Sequence, residues 1–156
     1  SIEYRNVAVV GAKSSDVLEK QLQQIVEYHP DIVTISMGGN DATHLVSEKQ
    51  LLANYTAVIA QLTEQTHAQI YITNVPNFSG GKLLPRLYTE LIEYRSKSIN
   101  PKLLALETDR VRMVDIHDFG WSQFPDRSVT YSFDGFHPSD VGYENWAHAF
   151  LSKMPN

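Results

Sequence analysis

In Asp134-Gly135-Phe136-His137-Pro138 an aspartate stands three residues ahead of a histidine. At that spacing a carboxylate can reach Nδ1–H of the imidazole, fix its tautomer and leave Nε2 free to take a proton from a hydroxyl nucleophile. His137 is therefore a candidate general base and Asp134 its orienting partner. A second group, Gly38-Gly39-Asn40-Asp41, lies far upstream. A glycine lets its backbone N–H approach a substrate without a Cβ in the way, and an asparagine offers an amide donor. The Gly11 N–H and Asn40 Nδ2 together suit an oxyanion hole, where each donor contributes on the order of 3 to 4 kcal/mol to transition-state stabilisation. Gly39, His44, Pro76 and Phe136 are candidates to line the pocket beside them.

These residues need elements to position them. Apolar, β-branched runs at Val7–Val10, Ile32–Ile35, Ile70–Val75 and Val111–Ile116 alternate with stretches of helical period at 17–26, 51–62, about 83–106 and about 139–151. The rhythm predicts a three-layer α/β/α domain around a parallel sheet with right-handed crossovers. Ser47 with Gln50 forms a capping box, Asp16 with Glu19 resembles one, and Ser139 follows Pro138 at the start of the last helix. Asn100-Pro101 is expected to break or kink the fourth helix, because proline lacks a donor and restricts the residue before it. All the candidate residues follow the carboxyl ends of predicted strands or fall in the loop before the last helix, where open parallel sheets bind ligands.

The chain has 156 residues, 42% of them hydrophobic, which suits a single domain over 1–156. A net charge of −5 with interleaved signs offers no basic stripe, so nucleic acid is not an expected partner. No apolar run approaches the roughly 20 residues of a membrane span, and the N-terminal residues are not expected to act as a charged-then-apolar leader. The lack of cysteine excludes disulfides, a thiolate nucleophile and a cysteine-ligated metal, and leaves the compartment open between cytoplasm and envelope.

The three motifs, in this order, resemble the SGNH (GDSL-type) hydrolase superfamily: Asn6 to Gly11 is similar to its second block, Gly38 to Asp41 to its third, and Asp134 to His137 to its fifth. The resemblance runs from about Asn6 to Leu151. It implies a flavodoxin-like parallel sheet, the SGNH hydrolase fold, with Gly11 and Asn40 as oxyanion donors, His137 as base and Asp134 orienting it. It further implies a serine esterase, lipase or lysophospholipase acting on a small-molecule ester without metal or organic cofactor. The first block, Gly-Asp-Ser, is absent, and with it the strand expected at the centre of the sheet. A preceding βα unit of roughly 30 residues or more is expected to carry the serine.

No Gly-x-Ser-x-Gly elbow replaces that block. Ser14 and Ser15 read as helix-start residues, Ser36 as a strand residue and Ser79 as a loop residue. Asp115-Ile116-His117-Asp118 holds three potential metal ligands, but alternation at a strand end sends neighbours apart, so a structural role is expected. Trp121, Phe124, Tyr131 and Phe133 either pack under the loop before Asp134 or wall a pocket for an acyl chain or sugar face. A carbohydrate- or lipid-binding module that kept the cleft and lost its nucleophile is the competing expectation.

Overall fold

The computed structural model describes residues 2–155. Its sheet contains β1 (Ile32–Ile35), β2 (Gln69–Thr73) and β3 (Val111–Val114), all parallel and in the order β1-β2-β3. Around it run α1 (14–28), α2 (Gly39–Thr43), α3 (Glu48–Gln65), α4 (Arg86–Leu104) and α5 (Asp140–Lys153). Each crossover is helical, as parallel pairing demands. No helix among the described residues is long and apolar enough to cross a membrane.

Strand alternation sorts side chains onto two faces. Ile70, Ile72, Val111 and Met113 join Leu51, Tyr55, Val58, Leu62, Ile92 and Leu103 of α3 and α4 in the main core, to which α1 adds Val17 and Leu22. Tyr71 and Val114 face the other way, packing with Ile116 and with Ala149, Trp146 and Phe150 of α5. The molecule is thus three-layered, with one layer much thicker than the other. β1 is only half covered: Val33 and Ile35 are buried, whereas Ile32 is 56% exposed and Thr34 also faces solvent.

The predicted first strand is not formed. Residues 2–9 belong to no helix or strand, and Val10 is fully exposed. An extended apolar segment becomes a strand only when a neighbour takes its amides and carbonyls. The outer edge of β1 carries no paired strand among the described residues, so that neighbour is missing. The other three predicted strands form: β1 has its expected bounds, while β2 and β3 end at Thr73 and Val114, short of the expected Val75 and Ile116.

Two helix expectations need correction. α1 starts before Asp16: Lys13 is the N-cap, and Asp16 Oδ2 accepts from the Lys13 amide at 2.9 Å. The helix also contains a π-helical turn, Val17–Gln21, between Ser14–Asp16 and Leu22–Tyr28. Pro101 does not break α4, which continues to Leu104. The missing proline donor costs the bond to the Lys97 carbonyl, but only one turn of helix remains beyond it to be disturbed. Asn100 meanwhile donates to the Val75 carbonyl and accepts from the Val75 amide, both at 3.0 Å, which pins this turn to the end of β2. Ser47 and Ser139 cap their helices, but the expected box at Ser47 is only half made: its side chain accepts from the Gln50 amide, while Gln50 Nε2 donates to Asn54 Oδ1 at 2.8 Å.

Tyr55 ties the carboxyl ends of β1 and β2 together: its fully buried hydroxyl lies 2.8 Å from the Met37 carbonyl and 3.0 Å from that of Thr73. Burial raises its pKa far above the ordinary tyrosine value, so it stays protonated. Tyr55→Phe leaves two carbonyls without this partner and should cost about 1 to 3 kcal/mol of unfolding free energy in urea titrations. An unchanged midpoint would show that the hydroxyl does not brace these strand ends.

Candidate active site

The loop before α5 folds into a small hairpin that presents His137. Tyr131 and Pro138 form an antiparallel bridge, the Ser132 amide donates to the His137 carbonyl at 2.8 Å, and the Gly135 amide donates to the Ser132 carbonyl at 2.9 Å. Gly135 takes φ +66°, which a side chain would resist. Asp134 sits at the centre. Its Oδ1 accepts from Ser132 Oγ and from the amides of Phe136 and His137 at 2.7 to 2.9 Å, and its Oδ2 lies 2.6 Å from His137 Nδ1.

A carboxylate only accepts, so His137 Nδ1 carries a proton, and in the neutral imidazole Nε2 is the nitrogen that keeps its lone pair. The hydrogen bond from His137, then those from Ser132 and the two amides, hold the Asp134 carboxyl well below the usual carboxylate range. It therefore stays ionised wherever the imidazole is neutral. The His137 side chain is 63% exposed, open to an incoming group.

Across the cleft, Gly38 turns the chain from β1 into α2 with φ +94°. A Cβ there would come within 2.7 Å of Tyr55 Oη. This turn brings Asn40 beside the Gly11–Lys13 segment, where Asn40 Nδ2 donates to the Ala12 carbonyl at 3.0 Å. One N–H of the carboxamide is thereby committed and the other remains for a ligand. Gly11 adopts φ +78°, is exposed, and its amide has no acceptor among the described residues.

A buried knot holds this arrangement. Asp41, 1% exposed, accepts from the Ser14 amide at 2.8 Å and from Ser14 Oγ at 2.5 Å, while Asn54 Nδ2 donates to Ser14 Oγ at 2.8 Å. Ser14 is thus sealed inside and cannot act as a nucleophile. Sequence reasoning marks Asp41 only as part of a motif, and the Asn54 contact, 40 residues away along the chain, carries no local signal.

His137, Asn40, Gly39, Pro76 and Phe136 line one cleft of about 200 Å³, joined by Phe78, Trp121, Tyr131 and Trp146. Burial pushes the Tyr131 hydroxyl up to about 12, and it donates to the Asn77 carbonyl at 2.6 Å. Ala12 reaches the lining, whereas its neighbour Gly11 stands just outside. His44 also lies outside: its Nδ1 is 2.7 Å from the Asn40 carbonyl, at the end of α2. Of the aromatic cluster, Trp121 and Tyr131 wall the cleft, Phe124 packs edge-on to Trp121, and Phe133 points into solvent. Ser36 lies beyond the end of β1 and lines the cleft, and Ser79 bonds to Asn77 and Arg127. Among the described residues no serine hydroxyl hydrogen-bonds to His137.

A family model described as the GDSL-like lipase/acylhydrolase family matches residues 2–144. Among curated proteins none matches by sequence. Solved structures share the fold. A carbohydrate esterase family 3 protein from Talaromyces cellulolyticus aligns at TM-score 0.68 and 17% identity, covering 92% of this chain and 66% of that one. An acetyl xylan esterase, AlAXEase, aligns at 0.72 and 19%, covering 94% and 78%. A lipase from a goat rumen metagenome aligns at 0.69 and 21%, covering 90% and 73%. This chain therefore spans about two thirds to four fifths of the length of these relatives.

The glycine turn yields a paired test. Gly38→Ala should lose more than about 1 kcal/mol in chemical denaturation, because a left-handed alanine is strained and its methyl meets Tyr55. Gly39→Ala, whose Cβ would meet Pro76 at an ordinary 3.5 Å, should lie within about 1 kcal/mol of the parent. Equal losses would remove the assigned role of the positive φ.

Proposed function

Because the chain belongs to the GDSL-like lipase/acylhydrolase family, we propose that it provides the base, the orienting carboxylate and two oxyanion donors of a serine ester hydrolase. The observation that carries this reading is the Asp134–His137 pair at 2.6 Å, opening onto the same cleft as Asn40. A serine hydroxyl attacks the ester carbonyl carbon while His137 Nε2 takes its proton. Asn40 Nδ2, the Gly11 amide and the serine's own amide stabilise the tetrahedral oxyanion. Collapse expels the alkoxide, which recovers the proton from His137. Water then attacks the acyl-enzyme by the same steps and releases the acid. The scheme requires no metal or organic cofactor.

The nucleophile belongs, in this reading, to an extended Gly-Asp-Ser segment seated along the outer edge of β1, between that strand and residues 7–10. The unpaired edge, the half-exposed Ile32 and the exposed Val9 and Val10 support the seat, since a strand there would satisfy the edge and cover these side chains. A second reading, a binding module that kept the cleft without turnover, draws on the lack of any described serine at His137.

Fluorophosphonate labelling separates the two. The chain alone should remain unlabelled, and the chain co-expressed with an extended Gly-Asp-Ser segment should label on that segment's serine. Labelling of the chain alone, at Ser36 or elsewhere, overturns the proposed seat, and no labelling in either case favours the binding module. In the co-expressed complex before any label is added, His137→Ala should lower kcat/KM for p-nitrophenyl acetate by about 10⁴-fold or more. Asn40→Ala should lower it by about 10²- to 10³-fold.

A further inference from the structure

Behind the cleft wall lies a second histidine that the catalytic scheme does not use. His117 is 4% exposed. Its Nδ1 lies 2.6 Å from Asp118 Oδ1 and its Nε2 lies 3.2 Å from Glu93 Oε2. Both ring nitrogens thus face groups that only accept, so the arrangement suits an imidazolium with two N–H donors. Glu93 is itself buried, and its other oxygen accepts from the Phe78 amide at 2.5 Å. The carboxylate of α4 is therefore shared between a buried cation and the backbone of the loop after β2.

That loop forms a wall of the cleft. The Phe78 ring stacks on Phe136, with centroids 5.7 Å apart and planes at 26°. Phe136 meets the His137 ring edge-on at 5.0 Å and 86°. One hydrogen bond to the Phe78 amide and two ring contacts thus link the buried carboxylate to the imidazole. Glu93 does not itself line the cleft and makes no hydrogen bond to His137; its direct link to the lining is the Phe78 amide.

We propose that Glu93, held by His117, is a positioning residue: by anchoring the Phe78 amide it keeps the Phe78–Phe136 stack against His137 and so restrains the orientation of the base. Its consequence for turnover rests on the reading of His137 as the general base; the packing restraint itself does not. The side of the restraint away from the cleft borders a cavity lined also by the charged residues Lys82, Arg86, Glu90, Lys97, Asp118 and Arg127.

The imidazolium makes the anchor sensitive to pH. Burial alone would lower the His117 pKa, but the hydrogen bonds to Glu93 and Asp118 and the two nearby charges outweigh it and raise the value. A raised folded-state pKa gives stabilisation that is complete below the unfolded value of about 6.5 and disappears as pH rises through the folded value. The pair should hold below about pH 6.5 and loosen as pH rises through the raised value.

The test compares Glu93→Ala with Glu93→Gln, whose amide oxygen can still accept from Phe78. In nuclear Overhauser spectra of the chain itself, the Phe136–His137 ring contact should persist in the parent and in Glu93→Gln and weaken at least threefold in Glu93→Ala. Phe78→Ala should produce the same weakening, and the double variant should add little to it. In the unlabelled co-expressed hydrolase complex, kcat for Glu93→Ala should fall about 10- to 100-fold, with Glu93→Gln recovering most of it. An unchanged ring contact in a folded Glu93→Ala variant overturns the restraint whatever the activity. A weakened contact with no loss of turnover keeps the restraint but removes its catalytic consequence. If Glu93→Ala does not fold, Phe78→Ala carries the same reading: a ring contact unchanged in that variant overturns the proposal.

Discussion

The buried carboxylate of Asp41 is the interaction on which the cleft depends. The N-terminal segment joins no sheet, yet its end is held beside α2. Asp41 achieves this by accepting twice from Ser14, while Asn54 of α3 closes the knot from below. Burying a carboxylate is costly unless its oxygens are hydrogen-bonded, and here they are. Asn40 then fastens the outer side of the segment through the Ala12 carbonyl.

Much of this was legible in the residues. The α/β rhythm predicted three of the observed strands and the main helices, since apolar runs of β-branched residues and helical periodicity report local preference directly. The Asp134–His137 pair was legible for the same reason: a three-residue separation lets a short loop bring the two groups together without help from elsewhere. The first strand failed because strand formation is a pairwise event. Val7 to Val10 have the right chemistry, but residues 2–9 have no described strand to pair with. Pro101 misled differently, as its effect depends on how near it stands to a helix end and on what holds the turn, here Asn100 against Val75.

The groups that sequence reasoning missed are those whose partners lie far along the chain. Glu93 reads as an ordinary helical acid until α4 packs beside the loop after β2, and His117 reads as one of three acidic-or-imidazole neighbours until Glu93 arrives. Asp115 shows the same effect: its Oδ1 accepts from Asn74 Nδ2 and from the amides of His117 and Asp118, which makes it a loop brace. Side chains that organise a site from behind have no motif, since any element that arrives at the right distance can supply them.

The π-helical turn in α1 bears on how this domain tolerates change in length. Such a turn houses one more residue than the α-helical path would need, and a single added residue rotates the first part of the helix by about 100° relative to the second. Leu22 is fully buried on one side of that turn and Ser14 on the other, so the surplus residue sets the angular phase between the core and the Asp41 knot. Removing one residue from 17–21 would straighten the helix and swing Ser14 away from its carboxylate, so a deletion that makes α1 more regular would dismantle the mouth of the cleft.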